Sequence, residues 1–156
     1  MKSDVLKIVA SVFLLASCAL SARAQPGNFP VDKSYKAISI SGFDVQNKGL
    51  SMTVSRHPSG GMRGAGNAGC NNWTASVILN NDQIDFTGIV TTKKMCGKPQ
   101  MTAEDAFLTS LRSAKRWHVD GDKLIIEGDA ARLMLKPGVA ELKPDKPAKK
   151  PAKRSR

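Results

Sequence analysis

The chain is poor in the side chains that carry most redox, metal and nucleophilic chemistry. It holds three cysteines and two histidines in 156 residues. No two cysteines are spaced C-x-x-C, which argues against a dithiol redox centre. Cys70 and Cys96 lie 26 positions apart. A zinc site wants four ligands, often in close pairs, and only His57 and His118 could join them. His57 precedes Pro58 in a loop-like stretch, and His118 follows Trp117. Neither belongs to a recognisable Ser/His/Asp arrangement, so both read as surface or structural residues. Long apolar runs are missing as well. The mostly apolar stretch Ile8 to Leu20 spans 13 residues, whereas a bilayer span needs about 20. No catalytic residue, metal site or cofactor is assigned.

What is present at the N-terminus points to export. Lys2 and Lys7 precede the apolar stretch, and Ser21-Ala22-Arg23-Ala24 offers a small-x-small cleavage site before Gln25. Residues 1–24 therefore read as a signal peptide. Leu15-Ala16-Ser17-Cys18 overlaps this site and resembles a lipobox, in which Cys18 would be acylated. The ordinary cleavage route predicts a periplasmic or secreted protein; the lipobox route predicts an outer-membrane lipoprotein. Either leaves Cys70 and Cys96 as the thiols of the folded part. An oxidising compartment favours a disulfide between them, worth about 3 kcal/mol on the chain-entropy estimate. Metal ligation and two buried free thiols stand as alternatives.

Charge is concentrated at the other terminus. After residue 24 the chain has 21 basic and 12 acidic residues, a net +9. From Lys136 to Arg156, eight basic residues face Glu141 and Asp145, leaving +6 in the last stretch. Repeated Lys-Pro-x steps with almost nothing apolar predict an extended, disordered tail over residues 138–156. Its cations Lys143, Lys146, Lys149, Lys150, Lys153, Arg154 and Arg156 either solubilise the chain or form an electrostatic arm for anionic envelope polymers or a membrane surface. Export makes nucleic acid a poor partner. A monomer is expected.

Between the termini the pattern is mixed. Residues 25–34, with Pro26 and Pro30, form an entry segment. Tyr35 to Val45 has β character broken by Gly42. Leu50 to Arg56 alternates apolar and polar residues with the period of a half-buried strand. His57 to Gly69, rich in Gly, Ser and Asn, reads as a loop. Strands are expected from Trp73 to Leu79 and from Gln83 to Val90, joined by Asn80-Asn81-Asp82, with a bulge at Gly88. A helix is expected from an N-cap at Thr102, with Glu104 and Asp105 in its first turn, an apolar stripe of Phe107, Leu108, Leu111 and Ala114, and Lys115 and Arg116 at its end. Further strands flank Asp120-Gly121-Asp122, a strong hairpin signal, and run from Arg132 to Leu135. This order predicts an α+β fold: a curved antiparallel sheet packed on one main helix, through Phe107 and Leu111.

Four phrases then share an order. They are Gly69-Cys70-Asn71-Asn72-Trp73, Phe86 to Cys96 (FTGIVTTKKMC), Glu104 to Leu111 (EDAFLTSL), and Trp117 to Leu124 (WHVDGDKL). Together they resemble the META domain, the HslJ-like family of secreted or envelope proteins, over roughly residues 35–137. The resemblance implies a small α+β domain and a non-enzymatic role connected with envelope stress, antibiotic tolerance, motility or virulence. It carries no catalytic residues. The looser first half and the basic tail depart from the family pattern.

One competing motif remains. Gly64-Ala65-Gly66-Asn67-Ala68-Gly69 matches G-x-G-x-x-G, but a dinucleotide site needs a strand before it and a helix after it. A β-rich run follows here, so the glycines read as a flexible loop. Asp120 and Asp122 frame a turn, and Trp73 and Trp117 read as packing residues.

Overall fold

The computed structural model describes residues 28–138. Its strands are β1 (Ser34–Ile40), β2 (Phe43–Asp44), β3 (Ser51–Arg56), β4 (Met62–Asn67), β5 (Asn72–Asn80), β6 (Gln83–Thr91), β7 (Ala114–Asp120), β8 (Lys123–Gly128) and β9 (Arg132–Pro137). One helix, α1 (Lys98–Arg112), joins β6 to β7, and a single 3-10 turn spans Gln46–Lys48.

The sheet does not stay open. Neighbouring strands from β3 to β9 pair in chain order, and β1 pairs with both β3 and β9. Tyr35 faces Pro137 and Ile40 faces Leu133 across the closing seam. The result is an eight-stranded antiparallel barrel, with β2 as a two-residue addition to β1. This corrects the expected sheet packed on one main helix. The period-two pattern of each strand is the same in an open sheet and a barrel. Only the β1–β9 register, between residues about 100 apart in sequence, distinguishes the two. Eight strands enclose a space that side chains alone can fill, and Met52, Val54, Trp73, Ile84, Leu124 and Leu135 fill it, each nearly inaccessible.

Helix α1 covers one end of this barrel. Phe107 and Leu111 are fully buried, as their spacing predicts. The Phe107 ring meets Trp73 edge-on at 6.0 Å. The helix begins earlier than expected, however. Gly97 is the N-cap in extended conformation, Pro99 occupies the first turn, and Gln100 and Met101 donate to the Gly97 carbonyl. Thr102 is thus inside the helix, and Lys115 and Arg116 belong to β7. Ala114, the last member of the expected stripe, is buried as the first residue of β7.

A second correction concerns 62–67, read as loop and found as β4. Its glycines make room for an indole. Trp73 lies across β4 and donates from Nε1 to the Ser51 carbonyl on β3 at 3.1 Å. A Cβ at Gly64 would sit 3.1 Å from the Trp73 ring, and one at Gly66 would collide with the Ser51 carbonyl. Glycine inside a strand marks such close backbone approaches. The expected turns hold. Asn81 has positive φ between β5 and β6. Asp120 pairs with Lys123, leaving a two-residue loop that opens on Gly121 at φ 61°. The bulge falls at Gly88, where the β5–β6 register slips between the Thr74–Val90 and Ser76–Thr87 pairs.

Candidate functional site: the Asn71 clasp

Three of the four signature phrases converge at the helix-capped end; the Trp117 to Leu124 phrase runs away from it into the β7–β8 turn. Cys70, in the β4–β5 connection, is bonded to Cys96, in the crossover from β6 to α1, with Cα atoms 5.9 Å apart. The two sulfurs are therefore held by each other and not available as zinc ligands. Beside them lies Asn71, which is 4% exposed. Its side chain joins three elements. Oδ1 accepts from the Thr92 hydroxyl at 2.8 Å and the Lys94 amide at 2.7 Å. Nδ2 donates to the Lys94 carbonyl at 3.3 Å and to Glu104 Oε1 at 3.0 Å. The Asn71 backbone amide adds a bond to Glu104 Oε2 at 2.8 Å.

Each bond has a sequence cause. Asn is a small side chain with both donor and acceptor, so it can satisfy a strand-end amide and a helix carboxylate together. Glu104 lies on the inward side of α1, one turn past Gln100, whose carbonyl approaches Gly69. Gly69 has φ 101°, a conformation open to glycine, and this brings Cys70 round to Cys96. The local pattern places Glu104 in the first helical turn as a dipole partner and assigns Asn71 no role. The pair is 33 residues apart, so no local signal joins them; the nearest clue was two polar residues, Asn71 and Asn72, between a cysteine and a buried tryptophan.

The arrangement is satisfied within itself. All buried side-chain polar atoms among the described residues have a partner, and both Glu104 oxygens already accept from Asn71. The histidines lie elsewhere: His57 is half-buried and shares its Nδ1 with the Ser59 hydroxyl at 2.6 Å, and His118 pairs with Ile125 in the β7–β8 hairpin. Asp120 and Asp122 frame that hairpin turn. Trp117 is buried, donates to the Asn81 carbonyl at 3.0 Å and meets Phe29 edge-on. The G-x-G-x-x-G run is spent on β4 and the turn into Cys70. Burial pushes the Tyr35 phenol above its ordinary value, with the Asp122 carboxylate adding to the shift.

Two surface recesses flank the helix. A groove of about 420 Å³ runs between the β1–β2 turn and α1, lined by Ile40, Phe43, Val45, Pro99, Ala103 and Ala106. A polar recess of about 680 Å³ lies where β6 parts from β7, among Asp85, Arg112, Lys115, Arg116 and Asp129; β6 and β7 share a single ladder pair, Gln83–Arg116. Cys18, the cleavage site after Ala24, and the tail cations Lys143 to Arg156 lie outside the described residues. No helix among the described residues is long and apolar enough to cross a membrane.

Two solved structures share the fold. An NMR structure of a protein from Burkholderia xenovorans superposes with a TM-score of 0.58 at 21% identity, covering 69% of this chain and 83% of its own. A second NMR structure gives 0.54 at 19% identity, covering 67% and 87%. No curated protein matches the chain significantly. The family model of the META domain matches residues 29–139, which takes in the whole barrel, the helix and the Asn71 clasp; the chain belongs to the META domain family.

Proposed function

We propose that the protein is an exported, non-enzymatic envelope protein with a stress-related binding or structural role. The Asn71 clasp is the observation that supports this reading. Cys70, Asn71, Cys96 and Glu104 of the signature phrases are consumed in holding the crossover and helix to the barrel, and the disulfide suits an oxidising compartment outside the cytoplasm. The mature chain begins at Gln25 in the periplasm or medium, or at an acylated Cys18 on the outer membrane. Mass spectrometry of the mature N-terminus separates these two forms. For the role itself, a strain lacking the protein should be sensitised to envelope stress. An export-competent copy should restore tolerance and a copy without residues 1–24 should not. Equal tolerance of the deleted strain and its parent would defeat the stress reading.

A second reading gives the activity to the basic tail, as an adhesive arm for anionic envelope polymer or host surface. Its support is positional: β9 ends at Pro137, and Gly138 is fixed by its amide to the Ser34 carbonyl at 2.8 Å, so the cationic stretch leaves from a firm edge. A deletion must therefore start at residue 139, because Lys136 and Pro137 pair with β1. Envelope association that survives this deletion and high salt rules the arm out, since screening weakens such contacts.

A further inference from the structure

The crossover between β6 and α1 has an unusual tip. Met95 is 88% exposed, yet it stands between two fixed points. Lys94 is held through both its amide and its carbonyl by the Asn71 side chain, and Cys96 is held by the disulfide. An apolar side chain at a free loop tip needs no explanation. One held outward by a buried asparagine and a covalent bond, on both sides, is presented.

Its neighbours along the chain are of one sign. Lys93, Lys94 and Lys98 are exposed, and no acidic residue occurs from Thr91 to Thr102. The nearest helical carboxylate, Glu104, is turned onto Asn71; Asp105, one position on, remains exposed. Val90 and Met101, 65% and 40% exposed, flank the tip along the chain. An exposed, ordered, apolar point flanked by lysines matches a surface that is anionic outside and apolar beneath. Lysine stems can lie along such a surface while their ammonium groups stay among headgroups.

We propose that the 93–98 crossover is a preordered docking tip for an anionic phospholipid bilayer, with Met95 entering the headgroup layer and Lys93, Lys94 and Lys98 pairing with lipid phosphates. This goes beyond the envelope role proposed above and is separate from the tail. The chain leaves β9 beside Tyr35, at the barrel end opposite the crossover.

The test uses the full mature chain carrying Met95→Trp, with vesicles of equal parts phosphatidylcholine and phosphatidylglycerol. Trp73 and Trp117 are 1% and 4% exposed, so they should report little, while an indole at position 95 starts in water. Its emission should shift to the blue and be quenched by brominated acyl chains. Pure phosphatidylcholine should give neither effect. Adding Lys93→Gln, Lys94→Gln and Lys98→Gln should weaken binding on the order of 100-fold, at about fivefold per lysine. Three results would overturn the proposal: no binding; vesicle binding without a spectral shift, which would assign attachment to residues 139–156; or an equal shift with soluble polyglutamate, which would make the partner a dissolved polyanion.

Discussion

Asn71 and Glu104 are joined twice, backbone amide to Oε2 at 2.8 Å and side-chain Nδ2 to Oε1 at 3.0 Å, so the mouth of β5 and the first half of α1 move as one piece. Removing the hub strands its partners. Asn71→Ala leaves the Lys94 amide and Glu104 Oε1 without their side-chain partner, although the backbone amide still reaches Oε2; this should cost about 2–4 kcal/mol, because buried polar groups stay desolvated with no bond in return. Asn71→Asp should be worse than alanine, because it sets a second carboxylate against Glu104. Glu104→Gln preserves shape and should cost less than either. Chemical denaturation of the three variants gives the order, and an aspartate milder than the alanine would contradict it.

The glycines under Trp73 make a second contrast. Gly66→Ala drives a methyl into the Ser51 carbonyl, a backbone atom that cannot turn aside. Gly64→Ala meets only the Trp73 and Val77 side chains at 3.1 Å, which can shift by a few tenths of an ångström. Overpacking of a core costs about 1–3 kcal/mol; Gly64→Ala should fall inside that range and Gly66→Ala above it. Trp73 fluorescence should move to the red in Gly66→Ala, because the bond to Ser51 and the burial are lost together. Equal melting temperatures for the two variants would mean the indole is not what requires these glycines.

The disulfide and the clasp hold the same crossover by different means. Replacing Cys70 and Cys96 with alanine removes the covalent closure, worth about 3 kcal/mol, and should lower Tm by about 10–20 °C for a domain of this size. The variant should still fold, since Asn71 keeps Thr92 and Lys94 in place. Combining it with Asn71→Ala should cost more than the sum of the two, because each restrains what the other releases. Strict additivity in a double-mutant cycle would show that the two act independently.

These relationships mark where local sequence information stops. The Asp120-Gly121-Asp122 hairpin, the Asn81 turn, the Gly88 bulge and the inward face of Phe107 and Leu111 are set by residues within a few positions of one another, and all were readable. Strand β4 was not. Its Gly64 and Gly66 answer to an indole that arrives from the next strand and a carbonyl from the previous one, and in isolation the same glycines read as a loop. Helix α1 starts at Gly97 with Pro99 behind it, a start that the better side-chain cap at Thr102 concealed. Barrel closure rests on Tyr35 meeting Pro137, a pairing that no periodicity encodes. At the site, the cysteine pair is legible from the short supply of thiols and the export expected from residues 1–24. Its hub was not, because Asn71 and Glu104 find each other only after the barrel has formed.

The chain has a single tyrosine, Tyr35. Tyr35 is buried on β1 near the closing seam, and burial followed by the Asp122 charge raises its phenol above the ordinary value. The unfolded chain releases this proton near pH 10, while the folded chain keeps it. Above that pH the unfolded state binds fewer protons than the native one, so stability falls as pH rises. The contribution is fully present below about pH 10 and is lost above it, up to the raised folded value. Phenolate absorbance should therefore appear later than for a free tyrosine, in step with alkaline unfolding. Tyr35→Phe should flatten this part of the stability profile while costing little at neutral pH. Asp122→Asn should move the phenolate transition part of the way back. A phenolate that forms near pH 10 while the barrel is still folded would show that Tyr35 is open to water.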